Sequence, residues 1–326
     1  MPQILKHLDS PQPGSKYFPP SSYRSGFEIL IASPSAGVLS NDSGSLVIKP
    51  CTAAEVKFYE VTQAHHPAFA AHMPTFFGTL QLGDPLQPSD QAPTHNRHSN
   101  IVLSNIGHGF ERPCILDVKL GAQLWGEDAS LEKRARLDKV SDETTSRPMG
   151  MRVAGMKVYR GTGEEAKKDP AVDETGYRVY DKYYARVFTK DNVIDTIIEY
   201  FTSEISQEQV KLVAGRLLKR LTEIREMLEE QESRMYSASL LFCYEGSKTA
   251  LEEALKELDA AKNSEEEDEE EEEEDDDGDD KKLKKVEDLK LIDFAHASWT
   301  PGQGPDKNAL QGVRSMEKLL AQIVGI

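Results

Sequence analysis

Five short stretches put charged or hydroxyl groups where apolar strands or plain helix would otherwise run. The first is Pro113-Cys-Ile-Leu-Asp-Val-Lys-Leu-Gly121. Alternation along a strand sends Asp117 and Lys119 to one face with Ile115, and Leu116, Val118 and Leu120 to the other. Such a pair is either an ion pair at a sheet edge or two opposite charges kept for a polar substrate. The second is Ser45-Leu-Val-Ile-Lys-Pro50, a strand ending in Lys49, followed by Thr52-Ala-Ala-Glu55. Thr52 with Glu55 three residues on has the spacing of a capping box. The third is Ser130-Leu-Glu-Lys-Arg-Ala-Arg-Leu-Asp-Lys139, where Ser130 reads as an N-cap. Lys133, Arg134, Arg136 and Lys139 place four bases within seven residues, a density suited to several phosphates. The fourth is Lys290-Leu-Ile-Asp-Phe-Ala-His296, in which an apolar run delivers the carboxylate of Asp293, a hard oxygen donor of the kind Mg²⁺ requires. The fifth is Ser237-Ala-Ser-Leu-Leu241, with the hydroxyl of Ser239 at the start of an apolar strand.

These groups need a frame to converge. The 326 residues suffice for one two-lobed unit or two docked domains. Residues 1–26, rich in Pro, Ser and Gly, read as a disordered lead-in. Phe27–Ala32 and Ser45–Pro50 read as strands of a hairpin joined by a turn-rich connection over 33–44, and Thr52 starts a helix. Phe76–Leu80 and Asn100–Ile106 read as further strands around a polar loop at about 84–98. Strand, lysine and glutamate-bearing helix follow one another as in the small lobe of a protein kinase, where the lysine holds ATP phosphates and the glutamate holds the lysine. After Gly121 come the basic helix, a strand at Gly150–Tyr159, a polar loop at 160–176, and helices over Asp191–Phe201 and Ser206 to about Gln231. A continuous buried strand is expected over Met235–Gly246, a helix over 247–262, and a terminal amphipathic helix carrying Val313, Met316, Leu319, Leu320 and Ile323. Val210, Val213, Leu217, Leu221, Ile224 and Leu228 form one helical stripe, read as core packing.

The net charge of −17 looks unsuited to a polyphosphate pocket. Fifteen of the 56 acidic residues lie in 265–280, however, and the other 41 stand against 39 lysines and arginines, a net of −2. A near-neutral folded part leaves room for a local basic pocket. The tract, within an insertion spanning 263–285, carries no apolar group and reads as disordered. It is either a solvating loop or a docking site for basic nuclear or transcription-factor segments. No apolar run reaches eighteen residues, so no membrane span is expected. Cys51, Cys114 and Cys243 have no metal-ligand spacing and suggest no disulfide framework. His65, His66, His72, His95 and His98 match no zinc pattern. Nothing here calls for direct nucleic-acid binding.

The order Lys49-Pro50, Pro-x-x-x-Asp117-x-Lys119-x-Gly121, Ala129-Ser-x-x-Lys133, Ser239-Leu-Leu and Ile-Asp293-Phe-Ala-His296 resembles the inositol polyphosphate kinase family over roughly residues 27–326. The Asp-Val-Lys-Leu-Gly and Thr144-Thr-Ser details are most similar to the fungal multikinase branch. The resemblance implies an α+β, two-lobed kinase-like fold, with a small antiparallel lobe over 27–106, a larger α+β lobe over 107–326, and ATP between them. It implies transfer of the γ-phosphoryl group of MgATP to hydroxyls of soluble inositol tris- and tetrakisphosphates. Lys49, Glu55, Asp117 and Asp293 would hold ATP, with adenine at backbone groups near Ser104 and Ile106. Asp117 and Lys119 would be catalytic. Lys119, Lys133, Arg136 and His296 would hold substrate, and Asp293 with Ser239 the Mg²⁺. About 34 residues separate Gly121 from Gly155, too few for the extra helical substrate lobe of trisphosphate 3-kinases. An inositol hexakisphosphate kinase making pyrophosphates and a nuclear scaffold acting through the acidic tract are the competing readings. Nucleus and cytoplasm are the expected compartments. The chain departs from its relatives at Ser33–Gly37, at Ser104-Asn105, at Ala185 and at Ala238.

Overall fold

The computed structural model of the chain describes residues 38–81, 99–267 and 284–325. The readings for residues 1–37, for the 84–98 loop and for 268–283 lie outside the described residues. The small lobe begins with β1 (Leu39–Ser40) and β2 (Leu46–Pro50), then α1 (Ala53–His65) and α2 (Pro67–Ala70). It ends with β3 (Phe76–Gln81) and β4 (Ser99–Ser104), in an antiparallel sheet of order β1-β2-β4-β3. The described hairpin partner of β2 is thus Leu39–Ser40, inside the stretch expected to be a turn. A two-residue strand is too short to leave an alternating pattern.

The large lobe follows with β5 (Pro113–Leu120), α3 (Leu131–Asp142), α4 (Ser146–Met149), β6 (Met151–Tyr159), β7 (Tyr177–Tyr180), α5 (Ile194–Tyr200) and α6 (Gln207–Glu230). It continues with β8 (Ser233–Met235), β9 (Ser239–Glu245), α7 (Lys248–Glu267), β10 (Glu287–Ile292), β11 (Ala297–Trp299) and α8 (Lys307–Gly325). Five strands form an antiparallel sheet of order β10-β9-β5-β6-β7. The single strand expected over 235–246 is broken at Ser237, whose φ of 60° is left-handed. Its two halves join different sheets, β8 pairing with β11 and β9 with β5 and β10. Helix α7 carries regular structure through Glu267, five residues into the stretch expected to be disordered. Poly-glutamate extends a helix already begun, because glutamate is a good helix former.

Helix α6 shows why the core sits where it does. Ser206 caps it and Gln209 returns the bond, a complete capping box. Val213, Leu217, Leu221, Ile224 and Leu228 are fully buried, each contributing about 1.5–3 kcal/mol of burial; Val210 is half-buried. On its outer side Arg216 and Arg220 grip the buried Glu287 at the start of β10, with Arg220 Nε 2.9 Å from Glu287 Oε1. The helix therefore fixes the strand that leads into Asp293.

The lobes meet through stacked rings. Phe58, one turn beyond Glu55 on α1, stacks on Phe294 at 4.9 Å and on Trp299 at 5.5 Å, and Trp299 lies against His66 at 3.3 Å. Ring pairs of this kind add about 0.5–1.5 kcal/mol each beyond burial. Leu291 N–H also donates to His72 O at 2.8 Å, so the small lobe is laced to β10. Helix α1 and the residue after Asp293 are thus held as one unit.

Candidate active site

Two lysines from different lobes converge on one carboxylate. Lys49, the penultimate residue of β2, places Nζ 2.9 Å from Asp293 Oδ1 and 3.0 Å from Glu55 Oε1. Lys119, near the end of β5, pairs with Asp293 Oδ2. Asp293 follows β10 with φ 67°, a left-handed backbone that aspartate tolerates better than most residues. Strain of this type persists where surrounding structure over-determines it. Here Phe294, fully buried in the ring stack, fixes the chain on the far side. Burial works against ionising Asp293, but Lys119 and Lys49 outweigh it and hold the carboxyl well below the usual range. For the same reason both lysines stay charged despite burial. Asp293 and Glu55 raise Lys49, and Asp117 and Asp293 raise Lys119.

Glu55 settles a competition left open by its spacing. Thr52 Oγ1 accepts from Glu55 N–H at 3.1 Å, as a cap should. The reciprocal half of the capping box does not form. The Glu55 carboxylate, only 2 % exposed, points to Lys49 instead. A buried carboxylate gains more from a full opposite charge than from one backbone N–H.

Asp117 lies beside this cluster, 4 % exposed. A register shift between Asp117 and Val118 in the β5–β6 pairing marks a bulge there, a device that re-aims side chains. Burial pushes its carboxyl up, helped by the nearby Asp293 and opposed by Lys119. Asp117 Oδ1 and Ser239 Oγ are both buried without completing a hydrogen bond, although Ser239 stands opposite Lys119 on β9 and faces the Asp117 carboxyl. Two orphaned oxygens next to a charged cluster fit hydroxyl or metal-bound water partners. Gly121 closes the strand with φ 98°, where a Cβ would strike the Asn308 side chain. Asn308 Oδ1 there accepts from Ala122 and Gln123 N–H, both at 2.9 Å.

Ser130 caps α3 by accepting from Lys133 N–H, and Lys133 Nζ reaches His296 Nε2 at 3.2 Å. Those two residues therefore meet, as their motifs require. Arg136 stays exposed one turn further along α3 and does not join them. Arg134 is spent on structure, its guanidinium 4.4 Å over Trp125 and its Nε donating to Ala129 O at 2.9 Å. Ser104 is also engaged, its N–H donating to Thr75 O and its Oγ accepting from Thr75 N–H, both at 2.9 Å. Ile106 O accepts from Lys285 Nζ at 3.2 Å. The Ile106 side chain joins Ile115, Leu241 and Cys243, with Phe110 and Ile292 against them, in an apolar cluster separate from the main core.

One cation beside the cluster carries no signal in the sequence. Arg152 stands opposite Lys119 across β5–β6, donates to Ser146 Oγ at 3.1 Å, and feels the charge of Asp117. Burial pulls its guanidinium down from the ordinary value. Only the strand register reveals it. Among the described residues no three His, Cys, Asp or Glu side chains form a ready cage for a metal. A magnesium-type ion does not need one, since it keeps waters and takes one or two carboxylates plus substrate phosphates. Asp293, with Ser239 close to the same face, fits that donor set.

The inositol polyphosphate kinase family model matches residues 100–321. The chain belongs to the inositol polyphosphate kinase family. This kinase is 34% identical to the inositol polyphosphate multikinase of Saccharomyces cerevisiae over 86% of its own length and 93% of that protein. It is 28% identical to the Schizosaccharomyces pombe multikinase, covering 88% and 93%. Mouse inositol hexakisphosphate kinase 1 is also 28% identical, but over 68% of this kinase and 51% of the mouse protein. The structure of the S. cerevisiae inositol phosphate multikinase with ADP and Mn²⁺ superimposes with a TM-score of 0.66 at 30% identity, covering 86% of this kinase and all of that chain. The α+β, two-lobed kinase-like architecture and membership of an enzyme family using a nucleotide are thereby established. No helix among the described residues is long and apolar enough to cross a membrane.

Proposed function

We propose that this kinase transfers the γ-phosphoryl group of ATP to free hydroxyls of inositol tris- and tetrakisphosphates, with Mg²⁺ as the metal. The observation that carries this reading is the Lys49–Asp293–Lys119 cluster with Asp117 Oδ1 left open beside it. Lys49 comes from the nucleotide-side lobe and, kept charged by Glu55, neutralises ATP phosphates. Lys119, Arg152, Lys133 and His296 offer cations or donors to acceptor phosphates. Asp117, with its unpartnered oxygen, accepts a hydrogen bond from a ribose or inositol hydroxyl and orients it. Phosphoryl transfer asks chiefly for alignment and charge neutralisation, so no strong base is required. Asp293, with help from Ser239, would hold the divalent ion, which would supply neutralisation of the charge on the transferred phosphoryl group. The apolar patch at Ile106, Ile115 and Leu241 receives the adenine.

The multikinase reading is supported by coverage of the fungal proteins almost end to end, and by the short chain between β5 and β6. That span holds only α3 and α4, 12 and 4 residues long. Incubation with ATP and each inositol phosphate, with product isomers separated chromatographically, tests it. Trisphosphate and tetrakisphosphate should both be consumed. Conversion of hexakisphosphate but not of trisphosphate would hand the assignment to pyrophosphate synthesis.

The acidic tract is read as accessory to the chemistry, in a protein we place in nucleus and cytoplasm. Deleting 265–280 should leave turnover within about twofold, because no residue assigned to the chemistry lies in the tract and positions that share no partner act independently. Steady-state assay of the deletion variant checks this. Loss of capture of a lysine-rich peptide with turnover intact would support a second, partner-docking role.

A further inference from the structure

The break between β8 and β9 has no place in the chemistry above, yet three consecutive residues there hold three different segments. Tyr236 N–H donates to His296 O at 3.2 Å, and Ser237 Oγ donates to Leu124 O at 2.9 Å. Ala238 O accepts from Leu120 N–H at 2.8 Å. Ser237 itself sits at φ 60°. A serine in that left-handed region is uncommon, and such a conformation persists where the surroundings over-determine it.

These bonds belong to a closed circuit of contacts. Leu124, fully buried, leads into Trp125, whose indole N–H donates to Asp138 Oδ1 on α3 at 2.9 Å. The Trp125 ring also lies 4.4 Å under the guanidinium of Arg134 on the same helix. Helix α3 carries Lys133, which meets His296 at 3.2 Å, and His296 returns through its carbonyl to Tyr236, beside Ser237. The ring of Tyr236 closes over Gly126, where a Cβ would lie 3.3 Å from its Cδ2. Other groups hold the start of this segment: Asn308 Oδ1 accepts from Ala122 and Gln123 N–H, and Ser141 Oγ donates to Ala122 O. The fold there does not hang on the serine alone. What the hydroxyl adds is a grip one residue from Trp125, in line with Lys133.

We infer that Ser237 is a positioning residue of the acceptor site, whose left-handed backbone and hydroxyl keep Lys133 and His296 together for one acceptor phosphate. The inference rests on the reading of those two residues as acceptor-binding groups given above. Ser237 touches no reactant and acts through Leu124 and Trp125 on one side and through Tyr236 on the other. Two donors held this close can serve a single phosphate group, and holding them in advance spares the substrate the ordering of two long side chains. A phosphate bound there is not the one transferred. The contact is therefore made equally in ground and transition states and is read in KM rather than kcat.

The test is Ser237→Gly in the full chain, alone and combined with Lys133→Met, assayed with inositol trisphosphate under saturating MgATP. Glycine adopts φ 60° freely and lacks the hydroxyl, so it removes the grip without straining the turn. KM for trisphosphate should rise about three- to tenfold, the scale of one hydrogen bond, with kcat within about twofold of wild type. A merely structural serine would instead lower the folded fraction, which reduces kcat and leaves KM alone. In the Lys133→Met background the same change should move KM by less than about twofold, because the lysine that Ser237 positions is gone. Additive losses in the double variant, a fall in kcat alone, or an unchanged KM in Ser237→Gly where Lys133→Met raises it would overturn the inference. A Lys133→Met protein with wild-type KM would overturn the acceptor reading of that lysine, and a wild type inactive on trisphosphate would overturn the acceptor class. The inference falls with either.

Discussion

Asp293→Asn lowers phosphoryl transfer by at least about 10²–10³-fold, the loss typical of removing one preorganised charge from a transition-state site. Asparagine is the informative replacement because it keeps the shape and tolerates the left-handed φ of 67°. What it removes is the anion. Lys49 and Lys119 are then left facing each other without the carboxylate that holds both, and the hard oxygen charge for a divalent ion is gone. The deficit should not be rescued by raising ATP, and raising the metal should rescue it only in part. Undiminished turnover would remove Asp293 from the metal role.

The same substitution has a stability signature whose sign follows from the depressed carboxyl. A group ionising more readily in the folded than in the unfolded chain contributes stability above the unfolded pKa, about 3.9 for aspartate, and loses it as pH falls through the folded one. Wild type should therefore lose more melting temperature than Asp293→Asn between neutral pH and about pH 3, in the range where the unfolded carboxyl protonates. A parallel fall in both proteins would mean that the lysines do not hold Asp293 charged in solution.

Lys119→Met is the second large effect. Methionine preserves the apolar stem, so packing on β5 survives, whereas the ammonium next to Asp117 and Asp293 is lost. Breaking a buried pair by removing one partner costs about 3–5 kcal/mol when the other charge stays buried. Asp293 is spared much of that, because it is 36 % exposed and keeps Lys49. The catalytic loss should exceed the structural one. kcat/KM for the inositol phosphate should fall about 10²–10³-fold, while KM for ATP changes by less than about threefold, since Lys49 and Glu55 remain. Kinetics with each substrate varied in turn separate the two. A rise confined to KM for ATP would move Lys119 to the nucleotide side.

Most of this site was legible because its residues sit in patterns that strands and helices rarely produce otherwise. Asp117 and Lys119 share a strand face, and Lys49, Asp293 and His296 end or follow apolar runs. Other features depend on how elements pair. Arg152 looks like any arginine on a strand, and its place beside the cluster appears only when β6 registers it against Lys119 across a bulge. Glu55 has the spacing of a cap, and only the proximity of Lys49 shows which partner wins. Arg136 carries the right charge on the right helix, yet the turn of α3 that brings Lys133 to His296 leaves it facing solvent. The break at Ser237 gives no warning, since a serine at φ 60° looks like any other serine in sequence. Motifs with a chemical reason survive folding as expected, whereas register, bulges and competition between partners must be seen.

The ring stack between the lobes also makes the molecule its own reporter. The chain has two tryptophans. Trp299 is pressed against His66 and Phe58 of the small lobe, while Trp125 lies under Arg134 and donates to Asp138 on α3. An indole's emission shifts with the polarity and quenchers at its faces. Opening of the lobes would therefore be seen at one fluorophore and movement of α3 at the other. Replacing either by phenylalanine would let the remaining one report alone.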